Sequence, residues 1–504
     1  MLANATMGGF VSGRRVTIDG RGLAAAVLLS LLVVGTAGGA SRPRGALLQL
    51  GKKRGCVYSP STAGTQGSSL ARLCARGVAL ETPLSVAVSP DGRNVYVAAA
   101  GADAVSAFSR APKDGGLQQL QGANACVTSD SADGRCKHGR ALSGVSALVL
   151  SRDGRSVYAL APHIGVAVLA RNSKSGALAQ LPGTNGCVGD ADTEGDCVVV
   201  PAMDDPSGVA ISPDGRNVYV TSASTNSVAV FARDAKSGRL TQLPGEAGCM
   251  FEPSSDPQDA GPPQACRNAV ALQGPAATTV SADGKNVYVA GEDMVAVFAR
   301  NSSDGSLAQL PGSSGCVASA DLINPDLPDA LPCVAARSLG TPLSIVASPN
   351  GRTVYVPTWP FITESSEPDG GVLVFARDPS GAIVQPADSA ACISALGGDC
   401  RQGRGMNLSA DFDFNLVGLA TSPKGDTVYI TTLDSAAGPG TISVFSGSLV
   451  QLPAQFGCVG VKAQGCAAGR ALQGISSVAV SPDGKNLYGT SYWDAAVAAF
   501  SRTR

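Results

Sequence analysis

The tetrapeptide Ser89-Pro90-Asp91-Gly92 lies between two short apolar runs, residues 84–88 before it and 94–97 after it. In such a segment proline presets φ, aspartate bonds locally to the backbone and glycine accepts a positive φ. The pattern therefore predicts a tight turn joining two antiparallel strands. It occurs seven times, with variations, at residues 89–92, 151–154, 212–215, 281–284, 348–351, 422–425 and 481–484.

Each pair of apolar runs joined by such a turn is followed by two further short runs. Residues 227–231 (Ser-Val-Ala-Val-Phe) exemplify the third run, and residues 240–243 (Leu-Thr-Gln-Leu) exemplify the fourth. Four short strands with turn signals between them are typical of one propeller blade. The seven repeats therefore predict an all-β fold, a seven-bladed β-propeller with four-stranded blades.

The two ends of the repeat array predict how the ring closes. The last repeat has three runs, ending at residues 497–500, and lacks its fourth. An isolated fourth-strand segment, Leu47-Leu48-Gln49-Leu50, stands near the start of the array. We expect this segment to pair with residues 497–500, because closure removes an open sheet edge that would otherwise favour aggregation.

Most aromatic residues fall at fixed places in the repeat, which predicts packing between blades rather than ligand contact. The second runs carry Tyr96, Tyr158, Tyr219, Tyr288, Tyr355, Tyr429 and Tyr488. The third runs carry Phe108, Phe231, Phe298, Phe375, Phe445 and Phe500.

Fourteen cysteines form one local pair per repeat, between a fourth run and the next first run. The pairs are Cys56/Cys74, Cys126/Cys136, Cys187/Cys197, Cys249/Cys266, Cys316/Cys333, Cys392/Cys400 and Cys458/Cys466. Connectivity does not follow strictly from sequence, but bonding within each repeat is the economical prediction. Zinc is the alternative, and it is disfavoured because Cys-x₂-Cys knuckles are missing and His138 and His163 are the only histidines.

Composition excludes several classes of protein. Charged residues make up 15% and hydrophobic residues 44% of the chain, which is too apolar for a disordered protein. The formal net charge is −1, and lysine and arginine do not run in blocks, so no nucleic-acid partner is predicted. A Cys-x-x-Cys-His haem attachment motif is missing as well, and no cofactor is predicted.

The N-terminal 40 residues resemble a secretory signal peptide. Arg14, Arg15 and Arg21 precede an uncharged stretch whose apolar centre, residues 23–34, is short for a membrane span. Small residues at 38–40 suit cleavage before Ser41. We therefore expect residues 1–40 to be removed by the general secretory route, although the Arg14-Arg15 pair resembles a twin-arginine signal and an uncleaved anchor is the alternative.

Residues 41–504 are then expected to form a single domain without a membrane span, a monomer in the secreted, cell-surface or periplasmic space. The cysteines agree with export, because disulfides persist in oxidising compartments.

The Ser-Pro-Asp-Gly-x-Asn-Val-Tyr-Val blocks resemble the YVTN-repeat and lactonase-like (6-phosphogluconolactonase-type) seven-bladed propellers. The resemblance covers about residues 45–502, and residues 219–222 (Tyr-Val-Thr-Ser) come close to the tetrapeptide that names the repeat. It implies the fold, and a family that includes sugar-lactone hydrolases and many exported propellers without an assigned role. The paired cysteines depart from the cytoplasmic lactonase pattern, and a lactonase catalytic set cannot be matched residue by residue.

Loops between second and third strands are the predicted home of a ligand site, because irregular loops on a rigid scaffold commonly carry function. They are expected to share one face with the fourth-to-first connections, opposite the Ser-Pro-Asp-Gly turns. Aromatic rings beside carboxylates would suit a sugar or a peptide, while a packed loop without a ligand is the simpler alternative. The candidate residues are Trp359, Phe361 and Glu364 in repeat five, Tyr492, Trp493 and Asp494 in repeat seven, and His163 in repeat two.

An acidic loop raises the question of calcium. Asp190, Asp192 and Glu194 alternate before Gly195, like the first half of a calcium loop. The acidic residue expected at position twelve is replaced by Pro201, so a solvated turn is the preferred interpretation and no metal is predicted.

Catalytic motifs are missing from the sequence. There is no Gly-x-Ser-x-Gly elbow, and the turn aspartate is interpreted as turn chemistry, because Asn350 and Lys424 replace it in two repeats. The sequence therefore favours an exported binding or scaffold module for a small molecule, glycan or protein. The alternative is a lactonase-like hydrolase acting on a sugar lactone or related ester.

Overall fold

The computed structural model describes residues 42–60, 67–130, 134–190, 197–253, 266–324, 330–358, 371–395, 400–406, 418–432, 440–461 and 463–504. Seven mainly antiparallel sheets succeed one another along the chain, one for each repeat. The seven-bladed β-propeller predicted from the repeats is confirmed.

The strands in chain order are as follows. Before the first complete blade come β1 (Leu47–Gln49), β2 (Cys56–Tyr58), helix α1 (Gly67–Leu73) and β3 (Ala75–Arg76). Blade one has β4 (Pro83–Val88), β5 (Asn94–Ala99), β6 (Ala104–Arg110), β7 (Leu117–Gln119), β8 (Cys126–Thr128) and β9 (Lys137–His138). Blade two has β10 (Ala147–Leu150), β11 (Ser156–Ala161), β12 (Gly165–Arg171), β13 (Leu178–Gln180), β14 (Cys187–Gly189) and β15 (Val198–Val199).

Blade three has β16 (Pro206–Ile211), β17 (Asn217–Ser222), β18 (Ser227–Arg233), β19 (Leu240–Gln242), β20 (Cys249–Phe251) and β21 (Arg267–Asn268). Blade four has β22 (Ala277–Val280), β23 (Asn286–Gly291), β24 (Met294–Arg300), β25 (Leu307–Gln309), β26 (Cys316–Ser319) and β27 (Val334–Ala336). Blade five has β28 (Val346–Ala347), β29 (Thr353–Thr358), β30 (Gly371–Arg377), β31 (Ile383–Val384), β32 (Cys392–Ser394) and β33 (Arg401–Gln402).

Blade six has β34 (Leu419–Thr421), β35 (Thr427–Thr432), β36 (Thr441–Ser446), β37 (Cys458–Gly460) and β38 (Ala467–Ala468). Blade seven has β39 (Ile475–Val480), β40 (Asn486–Ser491) and β41 (Ala496–Arg502), together with β1, β2 and β3. Single-turn 3₁₀ helices occupy Lys52–Arg54, Ala100–Ala102, Gly183–Gly186, Gly245–Gly248, Gly312–Gly315, Ala320–Ile323, Ser389–Ala391 and Ala454–Gly457.

The outer part of each blade is more elaborate than the sequence predicted. In blade one the third strand, β6, pairs with β7 along one half and with β8 along the other, so the fourth strand has two segments. The two-residue strand β9 then adds parallel to β8. The second segment is needed because β6 spans seven residues while the Leu-x-Gln segment covers only three.

Ring closure follows the prediction. Strand β1 pairs antiparallel with β41, with Leu47 opposite Arg502 and Gln49 opposite Phe500. Strand β2 continues along the same neighbour, with Cys56 opposite Ala498. The last blade is therefore completed by the segment that precedes the first blade. The outer edge of its third strand, β41, is covered by β1 and β2.

Seven disulfides join the cysteines in the predicted pairs, and no described cysteine is free. The bonds are Cys56–Cys74, Cys126–Cys136, Cys187–Cys197, Cys249–Cys266, Cys316–Cys333, Cys392–Cys400 and Cys458–Cys466. Bonding within each repeat is thus confirmed for all seven pairs. The zinc alternative is wrong, because every sulfur that could have been a ligand is engaged in a bond to another sulfur.

The two cysteines of each bridge have distinct places in the blade. The first begins the second outer segment, as Cys187 begins β14. The second directly precedes the short parallel strand, and these second members are Cys74, Cys136, Cys197, Cys266, Cys333, Cys400 and Cys466. The bridges therefore fasten the parallel strand to its own blade, with Cα atoms 4.7–4.9 Å apart. Because disulfides persist only where conditions are oxidising, this set places the folded chain in an oxidising compartment.

The core lies between neighbouring blades, as the aromatic register predicted. The tyrosines of the second strands and the phenylalanines of the third strands are at most 2% exposed. In one such cluster Tyr96 of blade one packs with Leu142, Val157 and Leu178 of the connection and blade that follow.

An arginine at the end of six of the seven third strands fastens its blade to the preceding one, and the sequence analysis missed it. Arg171 of blade two donates through Nη2 to the Asp91 carboxylate of blade one at 2.8 Å and through Nε to the Tyr96 hydroxyl at 2.8 Å. Tyr96 in turn donates to the Gly176 carbonyl. We call this arrangement the arginine clasp.

Six of the seven blade interfaces carry the clasp. Its members are Arg110 with Asp483 and Tyr488, Arg171 with Asp91 and Tyr96, Arg233 with Asp153 and Tyr158, Arg300 with Asp214 and Tyr219, Arg377 with Asp283 and Tyr288, and Arg502 with Asp426 and Tyr429. The turn aspartate therefore has a second role beside the turn chemistry inferred from sequence. In blade six Lys424 stands at the usual aspartate position, and Asp426, two residues later, takes the role of the turn aspartate. Its Oδ1 accepts from the Ser422 hydroxyl at 2.5 Å.

The interface between blades five and six is the exception. Strand β36 ends in Ser446 where the other third strands end in arginine, and the turn of blade five carries Asn350 in place of aspartate. Asn350 keeps the turn, because its Oδ1 accepts from the Ser348 hydroxyl at 2.7 Å. Both charged members of the clasp are thus replaced together, which avoids leaving a lone buried charge.

A glutamine in each fourth strand docks on the connection that enters its blade. The Gln180 side chain accepts from the Arg140 backbone N–H and donates to the Arg140 carbonyl, each at 2.8 Å. Equivalent contacts join Gln49 to Arg470, Gln119 to Val78, Gln242 to Pro201, Gln309 to Val270, Gln385 to Arg337 and Gln451 to Arg404. These amides hold the connections on the loop-bearing side of the ring.

Candidate functional site

Strand register places the two kinds of connection on opposite faces, as predicted. In blade one Pro83 lies opposite Ala99, and Ala99 lies opposite Ala104, so the blade entrance and the second-to-third loop share one end. Val88 lies opposite Val95 at the other end, beside the turn. We call the first end the loop face and the second the turn face.

A cavity of about 410 Å³ lies on the axis of the ring, where the first strands of all seven blades meet. Hydroxyl groups recur around its wall, from Ser85, Ser146, Ser207, Ser344 and Ser477. The remaining lining is Ser476 together with glycine, alanine, threonine or larger aliphatic residues, and among the described lining residues there is no titratable side chain. This wall can donate and accept hydrogen bonds, but it offers neither a general base nor a charge for an anion.

His163 projects from the second-to-third loop of blade two. Its side chain is 79% exposed, and Nδ1 lies 3.0 Å from Asp205 Oδ1 in the connection that enters blade three. Both residues have left-handed backbones, with φ values of 59° and 53°. His163 therefore sits at the surface of the loop face, tied to the next blade by one polar contact.

The aromatic pair predicted in blade seven forms one small platform. The Tyr492 and Trp493 rings meet edge to face, with centroids 4.5 Å apart and planes at 72°. Trp493 is 40% exposed. It lies over Gly474, where an added Cβ would come within 2.4 Å of the indole, so a glycine is required beneath the ring.

Asp494 follows this platform but turns inward. It is 3% exposed, and Oδ2 accepts from the Gln473 N–H at 2.9 Å and from the Ser491 hydroxyl at 3.2 Å. Burial raises the pKa of this carboxyl above its usual value, although these hydrogen bonds partly oppose the rise. The contacts show Asp494 supporting the chain beneath Tyr492 and Trp493.

Asp190, the first of the calcium candidates, is described and half-buried, and the other predicted site residues lie outside the described residues. Trp359, Phe361 and Glu364 fall in the segment 359–370, and Asp192 and Glu194 fall in 191–196. The structure brings Tyr492, Trp493 and Asp494 together, and no described contact joins them to His163. As ligand residues all of these stay predictions.

The cysteines belong to the framework of the blades and supply no reactive thiol. Each sulfur of the seven bridges is bonded to its partner, as Cys400 is to Cys392 and Cys466 is to Cys458. A thiolate, which is the nucleophilic and metal-binding form of cysteine, is therefore not present among the described residues of the oxidised chain. A candidate site on this protein has to be built from other side chains.

Two further carboxyl groups on the loop face have raised pKa values. Burial raises the pKa of Glu252, whose carboxylate accepts from the N–H groups of Ala271 and Leu272 at 3.1 and 2.6 Å. Burial also raises the pKa of Asp293, and the nearby charges of Glu292 and Asp321 add to the effect. The described loop face therefore holds buried or half-buried carboxyl groups that are not paired with a cation in the way the clasp aspartates are.

A second cavity, of about 450 Å³, opens on the loop face between blades seven and one. Glu81, Asp103, Asp130 and Arg135 contribute charged groups to its lining. Asp103 Oδ1 accepts from the Gly144 N–H at 2.7 Å, which ties this loop to the connection that enters blade two. This second cavity is a candidate ligand site with charged lining residues, in contrast to the uncharged axial cavity.

Within the described ranges, no group of three or more histidine, cysteine or acidic side chains is arranged to hold a metal ion. Among the same residues, no helix has both the length and the apolar character needed to cross a membrane.

The architecture and the loop-face cavities define a propeller with a pocketed face of irregular loops. Comparison with known protein families and solved structures agrees on the seven-bladed propeller class. The family of lactonases with a seven-bladed β-propeller matches residues 152–248, most of blades two and three. The resemblance inferred from the repeat is confirmed there. No curated protein matches the chain in sequence.

Solved structures share the fold at low identity. Hydrazine synthase from Kuenenia stuttgartiensis is 16% identical with a TM-score of 0.50, over 84% of this chain and 97% of that one. A protein provisionally described as a 6-phosphogluconolactonase, from Bacteroides uniformis, is 17% identical with a TM-score of 0.42, over 72% of this chain and 80% of that one. Identities this low establish similarity of fold alone.

Proposed function

We propose that this protein is an exported binding module whose ligand or partner site is on the loop face. The observation that carries the proposal is the wall of the axial cavity, which is lined by hydroxyl and small apolar side chains without a titratable group among its described residues. Such a wall suits an uncharged, hydroxyl-rich ligand such as a glycan, because hydrogen bonds orient the ligand and no proton transfer is provided.

The Tyr492–Trp493 platform supports the same proposal. A half-exposed indole at the edge of a loop face offers an apolar surface to a sugar ring or a peptide. Glutamine docking and disulfides hold the connections on this face, so less ordering entropy is lost when a ligand binds.

A lactonase-like hydrolase acting on a neutral sugar lactone or related ester is the second candidate, and the family match over residues 152–248 favours it. A phosphorylated lactone would fit less well, because the described loop face carries buried carboxyl groups and the axial wall carries no cation. His163 is then the group to test as a base, since it is exposed on this face.

The test exposes the purified full chain to a glycan array and to a panel of neutral lactones. Calorimetry measures binding, and acid release from the lactones measures turnover. We expect binding without turnover, weakened at least about tenfold in Trp493→Ala. Val450→Ala, at an exposed position outside the loop face, is the matched control and should bind normally. Lactone turnover by the unmodified chain that is lost in His163→Ala would reject the binding module and support the hydrolase.

Export is part of the proposal. Residues 1–40 act as a signal peptide, and residues 41–504 form the exported monomer, in agreement with the oxidising compartment that seven disulfides require. N-terminal sequencing of the secreted protein should begin at Ser41, and a cell-bound protein that begins at Met1 would favour the uncleaved anchor.

A further inference from the structure

A ring of cations occupies the turn face, with one member in each blade. In six blades the cation follows the turn glycine directly, and in blade six Lys424 precedes the glycine. The members are Arg93, Arg155, Arg216, Lys285, Arg352, Lys424 and Lys485. All are exposed except Lys485, which is half-buried.

Turn geometry holds the ring members at equivalent positions. The backbone N–H of Arg93 donates to Asp91 Oδ1 at 3.1 Å, and that of Arg216 donates to Asp214 Oδ1 at 3.1 Å. The same bond recurs at Arg155, Lys285, Arg352 and Lys485. Because these six turns have the same length and the same hydrogen bond, their cations occupy equivalent positions on the turn face, and Lys424 lies one residue before the glycine of the corresponding turn in blade six.

The positive charge of this ring is not cancelled nearby. The turn aspartates are already paired with the clasp arginines, as Asp91 is with Arg171. Lys485 lies 3.8 Å from Asp483, but that carboxylate is shared with Arg110. The neighbouring third-to-fourth turns balance internally, with Lys113, Lys174, Lys236 and Arg239 against Asp114, Asp234, Asp304 and Asp378.

The whole chain has a formal charge of −1, so an excess of cations on one face requires an excess of carboxylates elsewhere. Glu252 and Asp494 on the loop face are among those carboxylates. Cations are therefore concentrated on the turn face, while the balancing carboxylates lie elsewhere, and such an asymmetry orients a protein as it approaches a charged partner.

The side chains beside the ring narrow the kind of partner. The turns carry no aromatic residue, and the described second-strand tyrosines are buried, so the turn face has no stacking platform of the kind that single-stranded nucleic acid uses. The large exposed apolar side chains of the described chain, Leu73, Val199, Val384, Val450 and Trp493, are outside these turns. A cationic face without apolar anchors suits contact at the level of charged headgroups.

We propose that the turn face docks electrostatically on an anionic phospholipid bilayer and leaves the loop face directed toward solvent. The proposal is independent of the ligand on the loop face, because it uses none of the residues of that site. It makes the protein a peripheral membrane protein that presents its binding face outward.

The experiment is co-sedimentation of the full-length chain with vesicles of phosphatidylglycerol and phosphatidylcholine in equal amounts, or of phosphatidylcholine alone. The test variant, Arg93→Gln/Arg155→Gln/Arg216→Gln, removes three ring cations. Its matched control, Lys53→Gln/Arg72→Gln/Arg76→Gln, removes three exposed cations from the outer part of blade seven and has the same net charge. Circular dichroism of both variants verifies folding, and the N-terminal apolar segment contributes equally to every arm.

We expect the unmodified chain to bind the anionic vesicles and to be released at high salt, because exposed charges are screened. The ring variant should lose about 100-fold in affinity, and the control variant less than about threefold. Equal loss in both variants, equal binding to both vesicle types, or tighter binding to duplex DNA than to anionic vesicles at the same ionic strength would each overturn the proposal.

Discussion

The two faces of the ring treat their carboxyl groups in opposite ways. On the turn face the aspartates of six blades are paired with clasp arginines, and their pKa values lie below the usual value. On the loop face Glu252 and Asp494 are buried and Asp293 is half-buried, without a cation beside them, and their pKa values are raised. On the turn face the ionised carboxylates stabilise the fold at six equivalent positions. On the loop face the ionised carboxylates are destabilised by burial, at positions that differ from blade to blade.

Removing a clasp arginine should produce the largest effect. Arg171→Leu leaves the Asp91 carboxylate and the Tyr96 hydroxyl without their cation at a buried interface. We expect the free energy of unfolding to fall by about 3 kcal/mol, the lower end for a broken buried pair, since Asp91 is one-third exposed. Urea unfolding followed by circular dichroism measures it. Ser446→Ala, at the equivalent position in blade six, is the control and should change stability by less than about 0.5 kcal/mol.

Neutralising a turn aspartate should cost less and should depend on pH. Burial alone raises the pKa of Asp91, but hydrogen bonds from Ser89 and Arg171 outweigh it, so the native pKa lies below the unfolded value. The native carboxyl then binds its proton more weakly than the unfolded one. Its stabilising contribution is therefore present above about pH 4 and is lost as pH falls through the native pKa.

Asp91→Asn should consequently lower the unfolding free energy by about 1–2 kcal/mol at pH 7, while keeping the turn as Asn350 does. The gap between variant and wild type should narrow in urea titrations repeated below pH 4. A gap of constant size across this range would show that the charge of Asp91 contributes nothing to the clasp.

The exceptional interface offers the reverse experiment. Asn350→Asp combined with Ser446→Arg supplies both missing members of the clasp between blades five and six. We expect a gain of about 1 kcal/mol in the double variant that the sum of the single variants does not predict. A double-mutant cycle in urea unfolding measures this coupling, and purely additive single effects would mean that the local backbone does not admit the clasp.

The smallest effect is expected on the loop face. Because burial raises the pKa of Asp494, the native carboxyl holds its charge at a cost at pH 7, and this cost disappears once the group is protonated. Asp494→Asn keeps an acceptor for the Gln473 N–H, so its unfolding free energy should lie within about 0.5 kcal/mol of wild type, or slightly above it, at pH 7. Any difference should shrink as pH falls through the raised pKa. A loss of several kcal/mol would mean that the ionised carboxylate is required.

Part of the geometry of the candidate site was predictable, and the remainder depends on contacts between distant residues. Tyr492, Trp493 and His163 were found because they break a repeat, and the structure places them on the expected face. The burial of Asp494 was not foreseen, because its partner Gln473 belongs to the preceding connection. The glutamine docks could have been noticed, since a glutamine recurs in every fourth run, but its partner sits on the entering connection, 40 residues away for Gln180.

The sequence by itself determined the blade count, the closing segment and the cysteine pairs, because these depend on turn chemistry and on spacing within one repeat. Only the tertiary structure decided the clasp and the cation ring. Arg171 and Asp91 are 80 residues apart, and the ring cations are scattered one to a repeat along a nearly neutral chain. The physical reason is that a propeller arranges equivalent positions of successive repeats around one axis, so that residues distant in sequence share one interface or one face.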